Sequence, residues 1–229
     1  MTELKSLSET LETKQPQAVL AVALERYASK IVLACSFGAE DVVLLDMIHR
    51  INPSVPLFYL DTEFLFPETY ATRDRLIERY DLKSDQVIQI KPLLSPDRQA
   101  QRYGEALWSK DPDQCCQLRK VEPLTRVLQR YDAWITGIRR DQAPSRANAG
   151  LIEWDAKFGL VKVNPLARWT WADVWTYIKV YEVPYNPLHD RHYPSIGCTH
   201  CTNHVMPGQD LRSGRWQGSG KTECGLHKA

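Results

Sequence analysis

Apolar residues recur along this chain in two alternating rhythms. Between residues 7 and 28, Leu7, Leu11, Val19, Leu20, Ala23, Leu24 and Tyr27 fall at helical spacing, and Pro16 divides them into two segments. Residues 31–35 form a short continuous apolar run, the mark of a strand buried on both faces. A small-residue turn at 36–41 leads into a helix over 42–48. The cycle then repeats, with a strand at 55–62, a helix opened by Pro67 and ending near Tyr80, and a strand at 86–90. A further helix passes through Leu118, Val121, Leu124 and Leu128 before a strand at 133–138. Two more strands, 151–154 and 160–163, flank a turn, and Thr170 caps a helix over 171–178. From Val183 the chain turns irregular, punctuated by Pro184, Pro187, Pro194 and Pro207. Strands alternating with helices predict an α/β fold, a mostly parallel sheet with helices on both faces. Ligands of such sheets sit outside the carboxyl ends of the strands. That rule puts Ser36, Leu60, Asp61, Gly137, Arg139 and Arg140 on one rim.

Composition narrows the function. At 229 residues the chain buries one sizeable core with a small appendage. Hydrophobic residues at 43% and charged ones at 25% are ordinary globular values. A net charge of +1 lacks the bias of a general nucleic-acid surface, so a small-molecule partner is expected. No apolar run approaches the roughly 20 residues of a membrane span. The N-terminal segment lacks the basic start and apolar run of a signal peptide. The expected setting is therefore the cytoplasm, where structural disulfides are rare and six cysteines need another explanation.

Three stretches carry candidate chemistry. The turn at 36–41 joins a strand to a helix, a geometry whose free backbone N–H groups and dipole favour an anion, with the Ser36 hydroxyl as a further donor. It is not a Walker loop, and an ordinary βα turn accounts for it equally well. Cys115 and Cys116 sit in the first turn of a helix with Asp111 as N-cap and Pro112 at N1, where the dipole favours negative sulfur. Cys198 and Cys201 form a Cys-x-x-Cys after Gly197. Four thiolates suit zinc or an iron–sulfur cluster. Vicinal cysteines aim poorly at one ion, while His204 completes a Cys-x-x-Cys-x-x-His, so cluster, zinc and neither all stay open on spacing alone. Last, Cys224 lies between glycines near Lys221 and His227, and nearby cations lower a thiol's pKa.

These elements together resemble the assimilatory sulfonucleotide reductases, the adenylyl-sulfate and phosphoadenylyl-sulfate reductases. The resemblance rests on Ser36-Phe37-Gly38-Ala39-Glu40-Asp41, Leu60-Asp61-Thr62 with Pro67-Glu68-Thr69, and Cys115-Cys116 with Arg119-Lys120-Val121-Glu122-Pro123-Leu124. It continues through Thr136-Gly137-Ile138-Arg139-Arg140-Asp141-Gln142, Cys198-x-x-Cys201 and the terminal Glu223-Cys224-Gly225-Leu226-His227. It spans nearly the whole chain in the family's order. It implies an adenine nucleotide α-hydrolase-like fold: a nucleotide-binding domain with an iron–sulfur site over residues 1–206, and a mobile, irregular tail over 207–229 that carries the catalytic cysteine. Cys224 is implied to attack the sulfur of adenylyl sulfate, releasing AMP and leaving an S-sulfocysteine. Thioredoxin, or glutaredoxin, then frees sulfite, within sulfate assimilation and cysteine biosynthesis. The implied ligands of a 4Fe–4S cluster are Cys115, Cys116, Cys198 and Cys201, with Lys120 between cluster and substrate sulfate. Ser36, Leu60 and Gly137 match nucleotide contacts. Arg146, Arg212, Arg215 and His227 match residues that meet the phosphosulfate or shape the closed tail. No nucleic acid or membrane enters this reading, and a homo-oligomer is compatible with it.

The sequence departs from the family at two positions. Glu63 stands where many relatives have glycine, and His200 where many have proline. Cys35 has no counterpart among the ligands and reads as a buried strand-end residue. The alternatives are a phosphoadenylyl-sulfate reductase or a dual-substrate enzyme, and, in other classes, a zinc-containing ATP-pyrophosphatase-like enzyme or a redox-sensing protein. The pyrophosphatase would require a Ser-Gly-Gly-x-Asp-Ser loop that residues 36–41 lack. The redox sensor gives no reason for the rim.

Overall fold

The computed structural model describes residues 2–226. His227, one of the anticipated tail residues, lies outside them. Two helices, α1 (Thr2–Leu11) and α2 (Pro16–Tyr27), precede β1 (Ile31–Ala34) and α3 (Ala39–Ile51). There follow β2 (Leu57–Leu60), α4 (Pro67–Tyr80), β3 (Val87–Ile90) and three short helices, α5 (Pro96–Tyr103), α6 (Leu107–Lys110) and α7 (Pro112–Cys116). Beyond them come α8 (Glu122–Leu128), β4 (Ala133–Ile135), β5 (Ile152–Asp155), β6 (Leu160–Val163) and α9 (Trp171–Val180). The six strands form one sheet in the order β3-β2-β1-β4-β6-β5. All neighbours are parallel except the hairpin of β5 and β6.

Period-two alternation decides which side chain goes to which face. Ile31, Leu33, Leu57, Tyr59, Ala133 and Ile135 point into a core shared with α2, α3 and α9. Val32, Phe58 and Trp134, the residues between them, point to the opposite core against Leu124, Val127 and Leu128 of α8. Both faces are covered, as the apolar strands require. Successive strands run outward from β1 in one direction, and β4 returns on its other side. The switch point between β1 and β4 opens a crevice at their carboxyl ends.

The helix expected to run unbroken through Cys115, Cys116 and Leu128 is interrupted. Residues Gln117–Val121 form a π-helical turn, with Glu122 N–H reaching back to Gln117 O. Pro123 lacks the N–H that would continue the regular ladder, and a widened turn ahead of it absorbs the missing bond. Lys120 therefore lies on a π turn rather than one α-helical turn beyond Cys116. Among the described residues no helix is long and apolar enough to cross a membrane.

Candidate active site

At the crevice, the turn after β1 is tied by a carboxylate. Ser36 donates both its backbone N–H and its hydroxyl to Asp41 Oδ2, each at 2.6 Å. The Ser36 hydroxyl anticipated as a phosphate donor is thus engaged within the loop. Burial pushes the Asp41 carboxyl up to about 6, against the opposing bonds from Ser36. A carboxyl raised in the folded state favours the protonated form, so stability falls as pH rises from the ordinary carboxylate range through that value. The full effect is about 3 kcal/mol. Asp41→Asn is expected to remove this slope, and denaturant midpoints measured between pH 4 and pH 7 (about the window of the shift) check it.

Gly137, just past β4, comes so close to α3 that a Cβ there would overlap Asp41 Oδ1 and lie 2.8 Å from Glu40 Cβ. Only glycine lets strand and helix end meet. Gly137→Ala is expected to lose about 1–3 kcal/mol, read from urea unfolding. Leu60 ends β2 on the same cleft, whose volume is about 240 Å³. Asp61 does not face it. Its carboxylate is taken by Tyr70 Oη at 2.6 Å, Gln89 Nε2 at 2.5 Å and the Glu63 N–H at 2.9 Å. Arg139 lines the cleft but is ion-paired with Glu40 at 3.0 Å and with Asp141. Arg140, anticipated on the rim, turns away to Glu12, at 2.5 and 3.1 Å.

The two cysteine pairs meet in a second, small cavity. Asp111 caps α7 by accepting from Gln114 N at 2.9 Å, as the sequence predicts. The loop bearing Cys198 is held by Thr199 N donating to Phe64 O at 2.8 Å, and it bridges Leu65. Cys115, Cys116, Cys198 and Cys201 all line one cavity with Arg119, Lys120 and the aromatic rings of Phe64 and Trp108. Burial, then the neighbouring sulfurs of Cys116, Cys198 and Cys201, push the Cys115 thiol up to about 12. Thiolate charge here therefore needs compensation. Thr62 Oγ1 lies 3.3 Å from Cys198 Sγ.

Arg119 is 1% exposed, bonded through Nε to Gln99 and through Nη1 to Thr62 O, each at 2.8 Å. Its Nη2 is buried with no hydrogen-bond partner among the described residues. An orphaned donor beside four thiols fits a sulfur-rich guest able to accept from it. Among the described residues no three His, Cys, Asp or Glu side chains converge on a point suited to a single metal ion. His204, the alternative zinc ligand, is exposed beside Tyr193 with ring centroids 6.3 Å apart.

Both departures find a structural account. Glu63 has φ 58°, the left-handed region that favours glycine, and its carboxylate lies 3.5 Å from Arg119 Nη1. His200 lays its ring on Trp108 (3.8 Å between centroids, 8° between planes), so proline's place is taken by a stacked outer cover on the cysteine cavity. Cys35 is 2% exposed, as expected of a strand-end core residue.

Lys120 lines both cavities. Burial pushes its pKa down, but the sulfurs of Cys198, Cys224 and Cys116 outweigh burial and raise it. The tail carries Cys224 into the wall of the larger cleft, with Arg146, Arg212, Arg215, Ser36, Leu60, Gly137 and Lys120. Tail contacts run to both cysteine elements. Lys221 Nζ reaches Pro112 O at 3.3 Å and the Asp113 carboxylate, and Trp216 N–H donates to Cys201 O at 3.2 Å. Arg215 donates to Cys201 O at 3.2 Å and to Ser195 at 3.1 Å, with its guanidinium 4.4 Å from the Trp216 ring centre. Its guanidinium fills the space where a side chain at Gly197 would stand.

Arg146 and Arg212 are engaged by a residue given no role in the sequence reading. Glu223, 2% exposed, accepts from Arg146 at 2.9 and 2.8 Å, from Arg212 at 3.1 Å and from Ser145 at 3.2 Å. Glu223, Thr62, Arg119 and Trp216 all escaped a site assignment. Burial of a charged residue beside the candidate cysteine is the signal that would have found Glu223, and it exists only in three dimensions.

The model of the phosphoadenosine phosphosulfate reductase domain matches residues 30–204. An adenosine 5'-phosphosulfate reductase of Shouchella clausii (strain KSM-K16) is 51% identical over 226 residues, 99% of this chain and 93% of its own. A phosphoadenosine 5'-phosphosulfate reductase of Gloeobacter violaceus is 48% identical over 228 residues, 99% of this chain and 94% of its own. Among solved structures, the phosphoadenylyl-sulfate reductase from Candida auris, in a phosphate complex, superposes with a TM-score of 0.77 at 32% identity, over 90% of this chain and 97% of that one.

Proposed function

The chain belongs to the phosphoadenosine phosphosulfate reductase family, and on that premise we propose that it is an oxidoreductase of sulfate assimilation that reduces adenylyl sulfate to sulfite and AMP. The observation that carries this reading is the place of Cys224, whose thiol shares one cleft with the loop after β1, Gly137 and five cationic side chains, Lys120, Arg139, Arg146, Arg212 and Arg215. The nucleotide seats its base and ribose between Leu60 and Gly137. The sulfate points toward Lys120 and Cys224.

Cys224 thiolate attacks the sulfate sulfur. A sulfur–sulfur bond forms, the bond to the bridging oxygen breaks, and AMP leaves with that electron pair. Lys120, Arg212 and Arg215 offset the charge that grows on the departing phosphate and the sulfo oxygens. The tail of residues 207–229 then opens. A thiolate of reduced thioredoxin attacks Cys224 Sγ, and sulfite leaves with the sulfur–sulfur pair. The partner's second thiolate resolves the mixed disulfide and regenerates Cys224. The sulfur gains two electrons and the dithiol loses two, so the balance closes without another reductant. Glutaredoxin offers the same chemistry. The setting is the cytoplasm, in cysteine biosynthesis.

Cys115, Cys116, Cys198 and Cys201 are the residues that would hold a 4Fe–4S cluster. When bound, it supplies an electrostatic field acting with Lys120 on the substrate sulfate. Support comes from the shared cavity, the orphaned Arg119 Nη2 and the Thr62 hydroxyl beside Cys198.

A second reading, reduction of the 3′-phosphorylated nucleotide, is favoured by the name of the Gloeobacter relative. One preparation tests all of this. Protein purified anaerobically is assayed for iron and sulfide, then incubated with each nucleotide and weighed by mass spectrometry. Iron, sulfide and a sulfo adduct on Cys224 with adenylyl sulfate are expected. Colourless protein holding only zinc overturns the cluster. Absence of the adduct with either nucleotide overturns the mechanism.

A further inference from the structure

Next to Cys224 the tail meets the folded domain through a buried carboxylate. Glu223 stands one residue before the nucleophile and receives four hydrogen bonds: two from Arg146, one from Arg212 and one from Ser145. Arg212 Nη2 also donates to Thr222 O at 3.0 Å, so backbone and side chain of the same stretch are gripped together. Both partners are themselves enclosed, with side chains 9% exposed for Arg146 and 17% for Arg212. Burial, and then the proximity of Arg146, pull the Arg212 pKa down. The two guanidiniums repel and need an anion between them. Arg146 is fixed from behind by Gln142 Oε1 at 2.6 Å, so this half of the seat belongs to the folded domain, while Arg212 and the carboxylate belong to the tail.

We propose that Glu223 is the positioning residue of the tail: its carboxylate bridges Arg146 of the domain and Arg212 of the tail itself and thereby holds Cys224 in the cleft, and its release from Arg146 is the event that presents the sulfo-bearing cysteine to the thiol partner. The proposal rests on the reading of Cys224 as nucleophile, but the contact is independent of substrate. Beyond Glu223, Leu226 packs at the edge of the core around Phe58, Leu124 and Trp134, and Thr222 is held through its carbonyl by Arg212 of the tail itself. Lys157 Nζ bonds Gly225 O at 2.5 Å, but this is an exposed bond. Removing the Glu223 charge leaves the arginines buried without a counter-ion and frees the segment that carries the thiol.

The first test needs no nucleotide. Alkylation of each cysteine by iodoacetamide is followed by peptide mass spectrometry in full-length protein. Glu223→Gln is expected to raise the Cys224 rate about tenfold or more while Cys35, buried in the sheet core, stays protected. Cys35 is 2% exposed in the wall of the same cleft, so its labelling reports opening beyond the tail, and Cys224 labelling with Cys35 silent marks local release of the tail. In single turnover the variant is expected to form the sulfo adduct about tenfold more slowly and to lose that adduct to reduced thioredoxin at least as fast as the parent does. A residue of merely structural importance would slow both halves together. Should Glu223→Gln fail to fold, Glu223→Asp, which keeps the charge but shortens the reach, is expected to give a smaller rise at the same cysteine. Unchanged Cys224 labelling in the folded variant, or labelling of Cys35 in step with Cys224, overturns the proposal. If the parent forms no sulfo adduct but the labelling result holds, the chemistry is wrong and the anchor stands.

Discussion

Cys224→Ser is expected to end sulfite release, with a loss on the order of 10⁵-fold or more, the scale seen when a covalent nucleophile is removed. No other thiol can take its place. The four cysteines of the small cavity are enclosed together. Cys35 also lines the cleft, but it is 2% exposed, and burial together with Asp41 holds its pKa well above the ordinary thiol value. It stays a neutral thiol at working pH. Serine at 224 keeps the shape of the tail, because the Glu223 contacts do not involve the side chain at 224. Iron and sulfide content should therefore match the parent, and AMP should bind with the parent's affinity in equilibrium titration. Loss of iron in this variant would mean that Cys224, not one of the assigned four, serves the cluster.

Lys120→Met is expected to slow adduct formation on the order of 10²–10³-fold, the usual cost of removing one preorganised charge from a reacting oxyanion. Lys120 is 9% exposed and belongs to the walls of both cavities. The nearby sulfurs of Cys198, Cys224 and Cys116 raise its pKa despite burial, so it stays a cation between the two cavities. Methionine fills the same volume without the charge. Single-turnover mass spectrometry reads the rate, and iron analysis separates the two duties of the side chain. A slow variant with full iron locates the loss at the substrate. Iron lost in parallel with the rate would mean that the lysine mainly holds the cysteine site together. Lys120→Arg keeps the charge but not the shape, and partial recovery is expected.

The sheet was legible because strand and helix rhythms are local, and the crevice followed from the alternation of elements. The pairing of β5 with β6 was equally open, since a short turn joins them. What escaped was long-range or geometric. The π turn leaves no trace in the spacing of Val121, Leu124 and Leu128, although Pro123 is visible once its missing N–H is traced. The engagement of Arg146 and Arg212 by Glu223 joins residues 77 and 11 positions apart, and no local pattern encodes it. Ser36 looked like a free donor because the carboxylate that accepts from it belongs to the following helix. Glu63 is unexplained as a letter in the sequence, but its positive φ accounts for the glycine of relatives.

The tail's contacts with both cysteine elements couple the place of its thiol to the integrity of the cysteine cavity. Lys221 has its partners on α7, while Trp216 and Arg215 have theirs on the Cys198 loop. The tail meets its full set of partners only where the two elements stand together around their shared cavity. The segment that carries Cys224 is thus tied to the assembled cysteine site as well as to Arg146, and any loosening of that site is passed to the position of the thiol.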